Sequence, residues 1–185
     1  AVARRGACWV RDASAECDCG VVGDITGATD TARLADVLLP ASAWAEKDGT
    51  VTNSDRTISR QRAVLNPFAS SRPDWDILAD VGRRMGWTVA FAYASPAQIF
   101  REHAALSGIA GRFGKDFDIS AMAGMSDELY DAFAPVRWPA ADAHRGGRFF
   151  ADGRFFHPDG KARFVAVAHK AAAAKTGRRY PFRLN

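Results

Sequence analysis

Short, near-continuous apolar runs open the readable part of the chain. Val21-Val22 is closed by Gly23-Asp24, and Val37-Leu38-Leu39 is stopped by Pro40, which has no N–H to give to a strand ladder. Between them Thr29 or Asp30 is placed to cap a short helix through Ala35, because a side-chain oxygen there satisfies free N–H groups of the first turn. Strand, short helix, strand with apolar runs is the pattern of a buried parallel sheet, so the first half reads as α/β. In such sheets ligands gather beyond the carboxyl ends of the strands, which singles out Gly23-Asp24 and the segment after Pro40.

The period then changes. From Trp44 to Asn66 the chain becomes polar, with Glu46-Lys47-Asp48-Gly49-Thr50-Val51-Thr52-Asn53-Ser54-Asp55-Arg56 at its centre. That stretch is too long and too rich in hydrogen-bonding groups for a plain connector, and such loops are functional or disordered. Pro73-Asp74 next opens a helix with Trp75, Leu78, Val81 and Met85 at helical spacing, ended by Gly86. Ser95-Pro96-Ala97-Gln98 opens a second, combining proline in the first turn with a Ser-x-x-Gln capping box, and its apolar face is Ile99, Phe100, His103 and Leu106. A third helix runs from Asp127 to Phe133, with Ser126 as N-cap and Met125 placed to staple onto Tyr130.

A strand-like pattern returns at the end. Arg148 to Val167 alternates short aromatic segments with Asp152-Gly153 and Asp159-Gly160, which predicts a β-hairpin or three-stranded meander. The Ala-rich residues 168–176 read as a linker or short helix leading to a final extended segment. Residues 1 to 20 show neither period and are assigned no structure. No repeat of 20 to 50 residues is present.

Composition adds exclusions. With 48% hydrophobic and 25% charged residues, the 185-residue chain is ordinary globular material rather than a disordered one. It contains no apolar run near the roughly 20 residues a bilayer span needs, so no membrane partner is expected. The start lacks Met and has no apolar stretch behind Arg4-Arg5, unlike a secretory signal, and Tyr180 to Asn185 reads as an extended segment being entered. The expectation is an internal fragment.

The net charge of +4 is uneven: residues 1–92 carry 11 basic and 12 acidic side chains, residues 93–185 carry 14 and 9. From Arg145 onward ten Lys or Arg face only Asp152 and Asp159, interleaved with Phe149, Phe150, Phe155, Phe156 and Phe164. This pattern suits either a nucleic acid, gripped by charge and stacking, or a hairpin with phenylalanines on a core and arginines in water. Cys8, Cys17 and Cys19 are an odd number, which fits a reducing compartment better than a disulfide framework. With no nearby His they do not make up a metal site, and no metal ligand is assigned.

No self-sufficient catalytic motif is present: no G-x-G-x-x-G, P-loop, H-E-x-x-H or G-x-S-x-G. His103, His144, His157 and His169 are scattered. The candidates are Asp24, Lys47 and Asp74, each at or beside an element end on the presumed ligand-binding edge. A carboxylate accepts two parallel hydrogen bonds from the N1–H and N2–H of a guanine, and a lysine supplies a point charge for phosphate or a donor for a base carbonyl. Each also has a purely structural reading: Asp74 as a helix N-cap, Lys47 paired with Glu46 or Asp48, Asp24 as a turn-former.

Residues Ala35 to Arg56, followed by Arg72-Pro73-Asp74-Trp75, closely resemble one region of the molybdenum oxidoreductases that carry bis-molybdopterin guanine dinucleotide. Within that superfamily, Ile58-Ser59-Arg60-Gln61-Arg62, Ser95-Pro96, Phe100 to Gly108, Asp116-Phe117-Asp118-Ile119 and Pro135-Val136-Arg137-Trp138-Pro139 look most like the catalytic subunit of assimilatory nitrate reductase. The resemblance runs from about Val21 to Asn185. Formate dehydrogenase alpha subunits share the first segment but are less similar after Met85.

The resemblance implies part of a parallel-sheet, dinucleotide-binding α/β domain over residues 21–92, a helical segment over 93–145, and a β-hairpin and linker over 146–185. That last segment would lead to a missing C-terminal barrel domain, and residues 1–20 stand as an atypical N-terminal segment. Lys47 and Asp74 stand where the family places cofactor-contacting residues, and Asp24 matches a third such position. The implied cofactors are bis-molybdopterin guanine dinucleotide with molybdenum and, in a missing N-terminal part of the parent enzyme, a [4Fe-4S] cluster. The implied partners are nitrate and an electron-donor protein or reductase subunit, with no nucleic acid and no membrane, in the cytoplasm. The share expected of this chain is cofactor binding rather than catalysis, so no catalytic residue is named and the isolated fragment is expected to be inactive. The alternatives are a fragment of a formate dehydrogenase alpha subunit or a non-catalytic nucleic-acid-binding module.

Overall fold

The structure, a computed structural model, describes residues 7–141, 144–145, 148–155, 157–173 and 175–183. The expectations for Ala1 to Arg5, the Cys8 thiol, the His144 imidazole, the Phe156 ring, and Leu184 and Asn185 lie outside the described residues. The chain divides into two units, Ala1–Gly147 and Arg148–Asn185.

In the first unit, helix α1 spans Ala7–Ala15, where the sequence shows no period. A stretch free of Gly and Pro with three alanines has the propensity to form it without a regular apolar stripe. Strand β1 (Val21–Asp24) pairs with β2 (Val37–Pro40) in parallel, Val21 opposite Val37 and Asp24 opposite Pro40, as the apolar runs predict. The expected short helix is a single 3-10 turn, Ala32–Leu34, and Thr29 supplies its first acceptor, taking the Ala32 N–H at 3.1 Å.

One expectation fails here. The sheet is not buried: Val21, Val37 and Leu38 are 58%, 43% and 38% exposed. Two strands with a partner on one side each leave their apolar side chains without a covering layer among the described residues.

The polar stretch after Trp44 is neither disordered nor a simple loop. A 3-10 turn, Trp44–Glu46, leads into an antiparallel hairpin of β3 (Gly49–Thr52) and β4 (Thr57–Gln61), and β4 also pairs with β5 (Val136–Arg137). The β-branched residues Thr50, Val51, Thr52, Thr57 and Ile58 are the strand signal that the polar composition masks. The turn closes with Arg56 at φ +73° and Asp55 accepting both the N–H and the hydroxyl of Thr57 at 3.0 Å.

Helix α2 (Asp74–Arg84) starts and ends where expected, with Gly86 at φ +97° beyond its last turn. Its large apolar residues, however, face outward: Leu78, Val81 and Met85 are 64%, 44% and 62% exposed, while Ala79 and Gly82 are the buried positions. A Cβ on Gly82 would stand 2.5 Å from the Phe91 ring, so this helix packs through its smallest residues.

Helix α3 (Pro96–Gly111) repeats the theme. Of the predicted face only Phe100 is buried, with Ala97, Ala104 and Ser107; His103 and Leu106 are exposed. The capping box forms differently too, since Gln98 accepts the Ala94 N–H at 2.8 Å and Ser95 caps nothing. Helix α4 (Asp127–Asp131) has the predicted Ser126 cap, whose hydroxyl accepts from the Leu129 N–H at 3.2 Å. The core of this unit gathers Ile58, Ala97, Phe100, Ala104, Ile119, Met122, Tyr130 and Ala140, with Met125 packed against it. A two-residue ladder of β6 (Ala140–Ala141) and β7 (His144–Arg145) follows.

The second unit corrects the hairpin expectation. Among its described residues there is no helix or strand, although both Asp-Gly turns form, with Gly153 at φ +74° and Gly160 at φ +67°. The would-be middle strand is consumed by local bonds: Phe155 N–H to the Gly160 carbonyl and His157 N–H to the Phe155 carbonyl, each 2.8 Å. Phe150 stacks on Phe155 with 4.7 Å between centroids, but Phe164 is 96% exposed and faces no core. Residues 168–173 and 175–176 form no helix.

Candidate functional site

The carboxyl ends of β1 and β2 are extended by a third segment. Arg72 N–H donates to the Pro40 carbonyl at 3.1 Å and Ser42 N–H to the Arg72 carbonyl at 2.9 Å, so residue 72 lies beside the end of β2 as a parallel bridge. Helix α2 begins two residues later. Arg72 fixes its direction by reaching Asp76 at 2.7 Å and Asp80 at 3.1 Å. These carboxylates hold the guanidinium more firmly protonated than usual, and Arg72 with Arg84 holds Asp80 below the ordinary carboxylate range.

This arrangement brings two of the three candidates together. Lys47, between the Trp44–Glu46 turn and β3, and Asp74, the first residue of α2, meet with Nζ 2.8 Å from Oδ2. Neither structural reading survives for this pair: the N-cap of α2 is Pro73, with no side-chain cap, and the bridge of Lys47 runs to neither Glu46 nor Asp48. The Lys47 side chain is 27% and the Asp74 side chain 55% exposed, so the pair presents charge to solvent at the strand edge.

Asp24 lies one strand over. Its carbonyl accepts the Ala41 N–H at 3.0 Å, while its carboxylate turns back to the Thr29 hydroxyl at 2.8 Å and the Thr26 N–H at 3.2 Å. The Thr29 hydroxyl, and after it the Thr26 N–H, stabilise the charged form and hold Asp24 below its ordinary value. Asp24 thus fits the turn-forming reading and remains an ionised acceptor at the same edge, without contact to Lys47 or Asp74.

Ser42 was not singled out from the sequence. It is fully buried between Ala41 and the site loop, and its hydroxyl has no hydrogen-bond partner among the described residues. The only signal for it in the sequence is a small polar residue shortly after a strand-ending proline. Elsewhere in the unit an open apolar groove lined by Met122, Leu129, Phe133 and Val136 offers no charged group. Among the described residues no three His, Cys, Asp or Glu side chains gather to hold a metal ion, and Cys17 and Cys19 are free and exposed.

An edge with an ammonium, two carboxylates and exposed backbone suits a ligand that carries donors for carboxylate and an acceptor or negative charge for lysine. A guanosine phosphate has all of these.

Comparisons with known proteins bear on that ligand. Residues 2–84 match the model of the molybdopterin oxidoreductase family, a match that takes in residues 2–20 as well as the segment after Val21. Nitrate reductases of Klebsiella oxytoca and Shewanella frigidimarina are 44% and 43% identical over 95% and 86% of this chain. The F420-dependent formate dehydrogenase 2 subunit alpha of Methanococcus maripaludis is 35% identical over 83%. The chain spans 20%, 18% and 21% of the length of these three relatives.

Proposed function

We propose that this chain, which carries a molybdopterin oxidoreductase domain over residues 2–84 and is homologous to a stretch of nitrate reductases, holds a guanosine end of bis-molybdopterin guanine dinucleotide in a molybdenum-dependent nitrate reductase. The observation that carries the reading is the meeting of Lys47 and Asp74, 27 residues apart in sequence, at 2.8 Å beyond the carboxyl end of a parallel strand. The donor set fits the group. Asp74 keeps lone pairs free beside its bond to Lys47, enough to accept the N1–H and N2–H of guanine, and Lys47 supports that carboxylate while offering charge to the phosphates. Asp24, kept ionised by Thr29, offers a second acceptor at the same edge.

The chemistry of oxygen-atom removal from nitrate is supplied by the molybdenum cofactor when it is bound. What these residues do is bind and orient: the strand ends fix the backbone, Arg72 fixes the start of α2, and the Lys47–Asp74 pair reads the nucleotide. In the longer enzyme a [4Fe-4S] cluster and an electron-donor protein feed the reaction, a barrel-like domain completes the fold, and the reducing cytoplasm suits the free Cys17 and Cys19. Nitrate is favoured over formate because the nitrate reductases of Klebsiella oxytoca and Shewanella frigidimarina, at 44% and 43% identity over 95% and 86% of the chain, exceed the Methanococcus maripaludis formate dehydrogenase subunit at 35% over 83%.

Titration of the chain with GDP and ADP by calorimetry tests the reading. GDP is expected to bind, ADP to bind at least about tenfold more weakly, and Asp74→Asn to erase the difference, since one lost charge-assisted pair is worth about 1.5–3 kcal/mol. Equal affinity for the two nucleotides, or none for either, refutes it.

A further inference from the structure

Arg60, on β4, has a side chain only 5% exposed, an uncommon position for an arginine. Its guanidinium lies over the Tyr130 ring, 4.2 Å from the centroid. Nη1 donates to the carbonyls of Gly49 at 2.9 Å and Gln61 at 3.0 Å, and Nη2 stands 3.3 Å from Asp131 and 3.8 Å from Asp48. Two of these partners, Asp48 and Gly49, are the residues that follow Lys47. Two others, Tyr130 and Asp131, close α4.

The guanidinium is planar and its five donors point in fixed directions, so one buried group ties the loop to the helix with little freedom. Neighbouring bonds pull the same way. Gln61 Nε2 donates to the Trp44 carbonyl at 2.5 Å, Ala63 N–H to Asp48 at 3.1 Å, and Val64 and Leu65 N–H to the Ala45 carbonyl at 2.9 and 3.1 Å. Arg62 also reaches the Asp131 carbonyl. The backbone on both sides of Lys47 is therefore held, and its ammonium extends to Asp74.

We propose that Arg60 is a positioning residue for Lys47: by hydrogen-bonding the Gly49 carbonyl and attracting the Asp48 carboxylate from 3.8 Å while held against α4, it sets where the Lys47 ammonium meets Asp74. The consequence for nucleotide binding rests on the function proposed above, whereas the positioning itself does not.

The test uses the full chain with Arg60→Gln, Arg60→Lys and Asp48→Asn. The rate at which N-hydroxysuccinimide acetate acetylates the Lys47 ε-amine, in its deprotonated form and with release of N-hydroxysuccinimide, is followed by peptide mass spectrometry, with Lys115 as the reference on the same unit. Arg60→Gln is expected to raise the Lys47 rate by up to about tenfold, the equivalent of one charge-assisted hydrogen bond, with Lys115 unchanged. Arg60→Lys, which keeps the charge over Tyr130 but lacks the fork, is expected to fall between, and Asp48→Asn to move in the same direction as Arg60→Gln.

An unchanged Lys47 rate in Arg60→Gln overturns the proposal. Far-UV circular dichroism and urea unfolding report whether Arg60→Gln is folded; where it is not, Asp48→Asn, which leaves the Tyr130 and Asp131 contacts in place, decides by the same criterion. GDP titration of the same variants separates the two readings: a Lys47 rate that responds while GDP affinity stays constant supports the positioning role and removes the nucleotide from it.

Discussion

Asp24 and Asp74 are both carboxylates at one sheet edge, and their partners give them different behaviour. Asp74 meets an ammonium that is itself partly solvated. Asp24 accepts from the Thr29 hydroxyl and the Thr26 N–H, which lower its pKa by favouring the charged form. A carboxyl whose folded value is depressed stabilises the fold above its ordinary value, and that contribution is lost as pH falls through the lowered folded value. Thr29→Ala is expected to move the Asp24 titration, followed by carboxyl carbon NMR, back up toward the ordinary range and to flatten the acid limb of the stability curve. An Asp24 midpoint unmoved by the substitution contradicts the assignment. At this scale the sequence was informative about type and position. Lys47 and Asp74 were nameable because each charge falls next to an element end, but their contact was not, since it depends on residue 72 docking beside Pro40. Arg60 and Ser42 were hidden for a related reason: burial of a polar side chain is a tertiary outcome with no local signature.

At the scale of elements, helix ends were more legible than helix faces. Proline in the first turn, Ser126 and Gly86 act through neighbouring backbone and can be read locally. The faces were misread because periodicity counts large apolar residues, while α2 and α3 pack through Ala79, Gly82, Ala97, Ala104, Ser107 and Gly108. Small residues let the opposing backbone approach. Ser107 shows what this achieves: its hydroxyl donates to the Ala104 carbonyl at 2.7 Å and accepts the Ile119 N–H at 2.9 Å, joining α3 to the 3-10 turn Ser120–Met122. Ser107→Ala leaves that buried N–H without its partner and is expected to cost about 1–3 kcal/mol in urea unfolding. Gly108→Ala places a Cβ 2.7 Å from the Ser120 Cβ, and the overpacking is expected to cost a similar ~1–3 kcal/mol. A neutral outcome for both would mean that the close approach of α3 to this turn contributes nothing to stability.

Over the whole molecule, the core and the candidate site occupy different parts of the first unit. The buried cluster draws on β4, α3, the Ser120–Met122 turn and α4, whereas Lys47, Asp74 and Asp24 sit at the edge of a two-stranded sheet with exposed apolar strands. Local opening free energy follows buried apolar contact and shielding of backbone hydrogen bonds, so this sheet edge, the proposed binding edge, belongs to the low-stability end of this unit. Native-state hydrogen exchange is expected to show slowest amides in α3 around Ala104 and Ser107, and faster exchange in β1 and β2. The turns around Gly153 and Gly160, held by local bonds without a strand ladder, are expected to exchange fastest of all. A ligand that binds only the closed edge stabilises it by mass action, by about 2.7 kcal/mol at one hundred times its dissociation constant. Saturating GDP is therefore expected to slow exchange at Ala41, Ser42 and the first turn of α2 while leaving α3 unchanged. Uniform slowing across the unit would place the nucleotide's effect on the core rather than the edge, and no slowing at Ser42 would remove Lys47 and Asp74 from the site.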